Sequence, residues 1–92
     1  MADLIGRHVS LTGHVQGVFF RVWAQGHARE LGVSGWIRNR PDGSVEAHLA
    51  GDESAVSRMI ERMRRGPSNA HVDDIVIEEE APDYTGRFQV RH

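Results

Sequence analysis

From Arg7 to His14 the chain alternates: Val9, Leu11 and Gly13 point one way, His8, Ser10, Thr12 and His14 the other. A period of two is that of a half-buried strand. The compact turn Val15-Gln16-Gly17-Val18-Phe19-Phe20 follows, and from about Arg21 to Leu31 the period lengthens. Ala24, Ala28 and Leu31 then share one helical face, while Gly26 costs about 1 kcal/mol relative to alanine, so this helix needs tertiary support. Gly32 is a natural stop.

Gly35 to Arg40 and Ser44 to Ala50 read as strands, the latter with Val45, Ala47 and Leu49 on one face. Pro41-Asp42-Gly43 between them is a turn signal that makes the pair a hairpin. A second helix opens after Asp52, its expected N-cap, and carries Val56, Met59, Ile60 and Met63 as a clear apolar stripe. Its acids lie at the start and Arg62, Arg64 and Arg65 near the end, matching the helix dipole, and Gly66-Pro67 stops it. Val72 to Glu79 forms a fourth strand, Ala81 to Gly86 a loop, and Arg87 to Arg91 a short terminal strand.

The order is β-α-β-β-α-β plus a short C-terminal strand. Two helices cannot cover both faces of a small sheet, so both are expected on one face of a mainly antiparallel sheet. That is an α+β, two-layer sandwich of the ferredoxin-like kind. Right-handed crossovers place the first and third strands side by side at its centre. The arrangement hosts many unrelated activities and decides none of them.

Composition narrows the classes. The 92 residues fit one domain, residues 1–92. Cysteine is absent, which excludes disulfides, thiolate metal sites and a cysteine nucleophile. No long apolar run marks a membrane span, and the start is too short in apolar length for a secretory signal, so a cytoplasmic protein is expected. The net charge of -2 lacks a dominant electrostatic footprint for nucleic acid, and nothing demands more than a monomer. All 11 basic residues are arginine. Any cationic contact is therefore a planar, permanently charged guanidinium, suited to two oxygens of a phosphate or carboxylate.

Two segments carry candidate chemistry. In Gly13-His14-Val15-Gln16-Gly17-Val18-Phe19-Phe20-Arg21 a strand ends, the chain curls, and a helix begins with arginine in its first turn. Unpaired N–H groups at a helix start, continued by those of a curled loop, form an anion-binding concavity. Gly17 permits positive φ or close ligand approach, and Arg21 is placed to fold over the mouth. The same pattern also fits a plain tight connection with an exposed arginine. In the second segment, Gly35 to Val45, Asn39 lies late in the strand, where its amide could orient a water or serve only the turn. Trp36 is expected in the core.

Taken together, the two segments resemble the acylphosphatase family. Its first signature, Gly-x-Val-Gln-Gly-Val-x-Phe-Arg, is matched from Gly13 to Arg21. The second is a glycine, an aromatic, a small apolar residue, a basic residue and asparagine, then Gly-x-Val and a later glycine. It is matched from Gly35 through Gly43 and Val45 to Gly51, with Ile37 slightly larger than usual. The terminal Phe-x-Val-Arg also fits, although His92 stands where the family often has tyrosine. The resemblance implies hydrolysis of a small-molecule acyl phosphate to carboxylate and inorganic phosphate, without metal or organic cofactor. It implies that Arg21 binds phosphate, Asn39 orients water, and the backbone amides of Gln16, Gly17, Val18, Phe19 and Phe20 form the cradle. Phosphoryl transfer needs mainly positioning and charge stabilisation, which these groups supply.

Other features have plainer readings. His8, His14, His27, His48 and His71 show no paired metal-ligand spacing. Glu78-Glu79-Glu80 reads as a solvated strand end. RNA-binding modules share the element order, yet their stacking aromatics are not evident here. A non-catalytic anion-binding domain on the same scaffold is the remaining rival, separated from an enzyme by phosphate binding without turnover.

Overall fold

A computed structural model of the chain describes residues 3–92; residues 1 and 2, part of the short start considered above, lie outside it. Elements follow as β1 (Leu4–His14), α1 (Phe20–Leu31), β2 (Ser34–Asn39), β3 (Val45–Asp52), α2 (Glu53–Arg65), β4 (His71–Glu80) and β5 (Phe88–Arg91). They build a five-stranded sheet in the order β4-β1-β3-β2-β5. All neighbours are antiparallel except β2 and β5, which run parallel. The first and third strands are central neighbours, as the crossover argument requires. β1 begins earlier than its alternation indicated, because Leu4, Ile5 and Gly6 pair with Asp52, Gly51 and Ala50.

Both helices lie on one face, α1 over β2 and β5, α2 over β1, β3 and β4. Between the layers sits the core. The period-two positions Val9, Leu11, Ile37, Val45, Ala47 and Leu49 meet Phe20, Ala24, Ala28, Val56, Met59 and Met63, all buried. Fully burying each of the Val, Leu, Ile, Phe and Met side chains among them contributes about 1.5–3 kcal/mol, and each alanine methyl less. That packing offsets the poor local propensity of α1, whose Gly26 faces open space. Asp52 does occupy the N-cap position of α2 but makes no side-chain capping hydrogen bond.

The helix-free face holds the departures from expectation. Glu46 and His48 are buried there although they alternate with core residues on β3. Glu46 accepts from His8, Arg38 and Arg40. His48 accepts the Asp83 N–H at Nε2 (3.1 Å), so its Nδ1–H donates to Glu80. Glu80 is thus a latch for the following loop, while Glu78 and Glu79 are exposed as expected. Trp36 is not core: the core position is Ile37, and Trp36 turns to this face, where the Arg38 and Arg91 guanidinium carbons lie 5.6 and 4.9 Å from its ring centroid.

Candidate active site

The segment between β1 and α1 alternates inward and outward. Val15, Val18 and Phe20 are buried and anchor it, whereas Gly17 and Phe19 are exposed. Two residues take positive φ, Gly17 at 74° and Phe19 at 59°. Glycine adopts this conformation without steric cost; phenylalanine does not, so packing on either side must hold Phe19 there. Phe19 is the N-cap of α1, with no side-chain cap, and its carbonyl accepts the Trp23 N–H at 3.0 Å. Among the described residues, no main-chain hydrogen bond is donated by Gln16, Gly17, Val18 or Phe19. These donors precede the first turn of α1, where the helix dipole favours an anion.

A cleft of about 240 Å³ opens beside this loop, lined by Val15, Gly17, Phe19, Phe20, Arg21, Val22 and Asn39. Sequence reasoning placed Arg21 and Asn39 on different elements, and the fold brings both to one cavity. Arg21 is half-buried in the first turn of α1. Its Nη1 donates to the Arg91 carbonyl at 2.8 Å and lies 3.3 Å from His92 Nδ1, which leaves other guanidinium N–H groups free to serve a ligand. Asn39 ends β2 opposite Val45, and its carboxamide makes no protein hydrogen bond among the described residues.

Two supports were not foreseen. The Gln16 side chain donates from Nε2 to the carbonyls of Arg40 (2.7 Å) and Ser44 (2.8 Å), tying the loop to the hairpin that follows Asn39. The sequence points only to the Gln16 backbone, because a side chain reaching across 24 residues leaves no local trace. The second support is Glu46, whose arginine partners Arg38 and Arg40 flank Asn39 in sequence. The Arg40 guanidinium, helped by His8 and Arg38 and opposed by burial, holds the Glu46 carboxyl at about 2. Arginines spaced by two meet a carboxylate on the neighbouring strand only once the β2–β3 register sets Arg38 opposite Glu46. Gly35 of the same motif has φ 139°, and a Cβ there would strike the His48 carbonyl, so only glycine lets β2 approach β3 this closely.

No group of three or more His, Cys, Asp or Glu side chains is placed to hold a metal ion among the described residues, and no helix there is long and apolar enough to cross a membrane. His8 and His48 are cross-strand partners, but each turns to a carboxylate.

Comparison with known proteins matches residues 7–90 to the family model described as acylphosphatase. An acylphosphatase from Rhodopseudomonas palustris strain BisB5 is 53% identical over 77 residues, covering 84% of this chain and 78% of that one. Among solved structures, an acylphosphatase from Coxiella burnetii superposes with a TM-score of 0.91 at 34% identity, covering 97% of this chain and 94% of the other. One from Bacillus subtilis gives the same TM-score of 0.91 at 31% identity, with 96% and 99% covered. With both signatures meeting at one cleft and relatives alike along nearly their whole length, the chain belongs to the acylphosphatase family.

Proposed function

We propose that the loop amides of Gln16 to Phe20 and the Arg21 guanidinium bind the phosphoryl group of a small acyl phosphate, and that Asn39 holds the attacking water. The observation that carries this reading is the convergence of Arg21, Asn39 and the curled loop on one cleft. Charge-assisted hydrogen bonds contribute about 1.5–3 kcal/mol each, against about 0.3–2 kcal/mol for an anion at a helix start. Arg21 therefore outweighs any single amide. On ligand arrival it exchanges the Arg91 carbonyl for phosphoryl oxygens.

The reaction is hydrolysis of a carboxyl–phosphate anhydride. Water oxygen bonds to phosphorus, the bond from phosphorus to the acyl oxygen breaks, and its electron pair leaves on the carboxylate. The carboxylate is a good leaving group, so no strong general acid is required. Asn39 is too weak a base to take the proton, and a phosphoryl oxygen of the substrate accepts it. Catalysis is then positioning and charge stabilisation. Arg21, Asn39 and the cradle all come from one chain, so the site as read is complete in a monomer, with inorganic phosphate as product; a cytoplasmic location without nucleic-acid or membrane partner stays an expectation from the sequence.

The test is phosphate release from acetyl phosphate, with inhibition by inorganic phosphate measured in parallel. Arg21→Gln should weaken both turnover and phosphate affinity, whereas Asn39→Ala should lose turnover and keep phosphate affinity comparatively intact. Equal activity of Asn39→Ala and wild type would refute the assigned roles.

A further inference from the structure

The cleft has an apolar part that phosphate chemistry leaves unused. Phe19 is 81% exposed and Val22 60% exposed, and of the exposed large apolar side chains among the described residues these alone line the cleft. Leu4, Val76, Ile77 and Tyr84, the others, lie on β1, on β4 and in the loop before β5. Exposing a phenyl ring forgoes about 1.5–3 kcal/mol of burial, and Phe19 is also the sole non-glycine residue at positive φ among the described residues. Strain and exposed apolar surface coinciding at one site mark a functional position.

Placement decides what this surface meets. In-line displacement sends the leaving carboxylate away from the attacking water. Asn39, which holds that water in the reading above, comes from the sheet, whereas Phe19 and Val22 come from the loop and the first turn of α1. The exposed apolar side chains of the cleft thus stand on a different element from the one that carries Asn39. Resting on that reading of the site, we propose that Phe19 and Val22 form a subsite for the acyl chain, so that the enzyme takes hydrocarbon acyl phosphates in preference to acetyl phosphate.

The experiment uses acetyl, propionyl and butyryl phosphate, whose leaving carboxylates have nearly equal basicity, so that differences in kcat/KM report binding rather than intrinsic reactivity. Burial of a methylene is worth up to about fourfold. Wild-type kcat/KM should therefore rise about two- to fourfold with each added methylene. Phe19→Asn, which tolerates positive φ, should flatten that rise; any common factor from disturbing the loop cancels in the ratio between substrates. Val22→Thr keeps the side-chain shape and should lower the butyryl-to-acetyl ratio of kcat/KM about twofold, the ratio again cancelling any factor common to both substrates. A flat wild-type series, or a rise identical in wild type and both variants, would overturn the subsite. Failure of the wild type to hydrolyse even acetyl phosphate would overturn the reading of the site itself, and the subsite with it.

Discussion

Replacing Glu46 by glutamine removes the negative charge that gathers His8, Arg38 and Arg40 on the helix-free face. The carboxylate is only 4% exposed. Its pKa is lowered from 4.5 to about 2, first by the Arg40 hydrogen bond, then by His8 and Arg38, with burial acting in the opposite sense. At about 1.4 kcal/mol per pH unit, that displacement corresponds to about 3 kcal/mol of stability at neutral pH. Arg38 and Arg40 remain 52% and 32% exposed and can turn to water in the variant, so the loss should stay at the low end of the roughly 3–5 kcal/mol known for breaking buried pairs. The melting temperature should fall by about 12 °C or more, at about 4–8 °C per kcal/mol for a domain of this size.

The pH dependence separates this cause from simple loss of packing. A carboxyl whose folded pKa is depressed stabilises the fold above its unfolded pKa, and that stability is lost as pH falls toward the folded value. Urea unfolding followed by circular dichroism at pH 7, 5, 4 and 3 should show the variant about 3 kcal/mol less stable at pH 7 and only about 1 kcal/mol less stable at pH 3. A gap that does not narrow with acid, or one below about 0.5 kcal/mol at pH 7, would refute the reasoning. Because Arg38 and Arg40 flank Asn39, kcat should fall in the variant as well.

Gly26→Ala places a methyl in open space within α1 and should raise stability by about 0.5–1 kcal/mol, read from the urea midpoint, with turnover unchanged. Gln16→Leu removes two hydrogen bonds to carbonyls that also accept the Gly43 and Arg40 N–H groups. No carbonyl is orphaned, so the cost should be about 1–3 kcal/mol. The freed cradle loop should also weaken inhibition by inorganic phosphate several-fold, which a purely structural role for Gln16 would not do.

Much of this molecule was legible in its sequence because local periodicity and burial agree. The stripe from Val56 to Met63, the alternation of Val45, Ala47 and Leu49, and the glycine stops after both helices sit where the pattern places them. The cleft was legible through its two signatures, each of which names a residue that lines it. What stayed hidden depends on long-range pairing. Trp36 reads as core until the register shows Ile37 facing the helices. Glu46 reads as a polar strand position until arginines on β2 and a histidine on β1 close over it. The Gln16 bridge and the Arg21 contact with Arg91 join segments far apart in the chain. The αL backbone of Phe19 carries no composition signal, because Phe19 is held there by its buried neighbours Val18 and Phe20 rather than by its own preference.

The structure of the protein with bound inorganic phosphate tests the central claim most directly. Phosphate oxygens should lie within hydrogen-bond distance of the Gln16 to Phe20 amides, with Arg21 turned from the Arg91 carbonyl onto the ligand and Asn39 beside it. Phosphate bound elsewhere, with Arg21 still on Arg91 and the loop amides facing solvent, would contradict it.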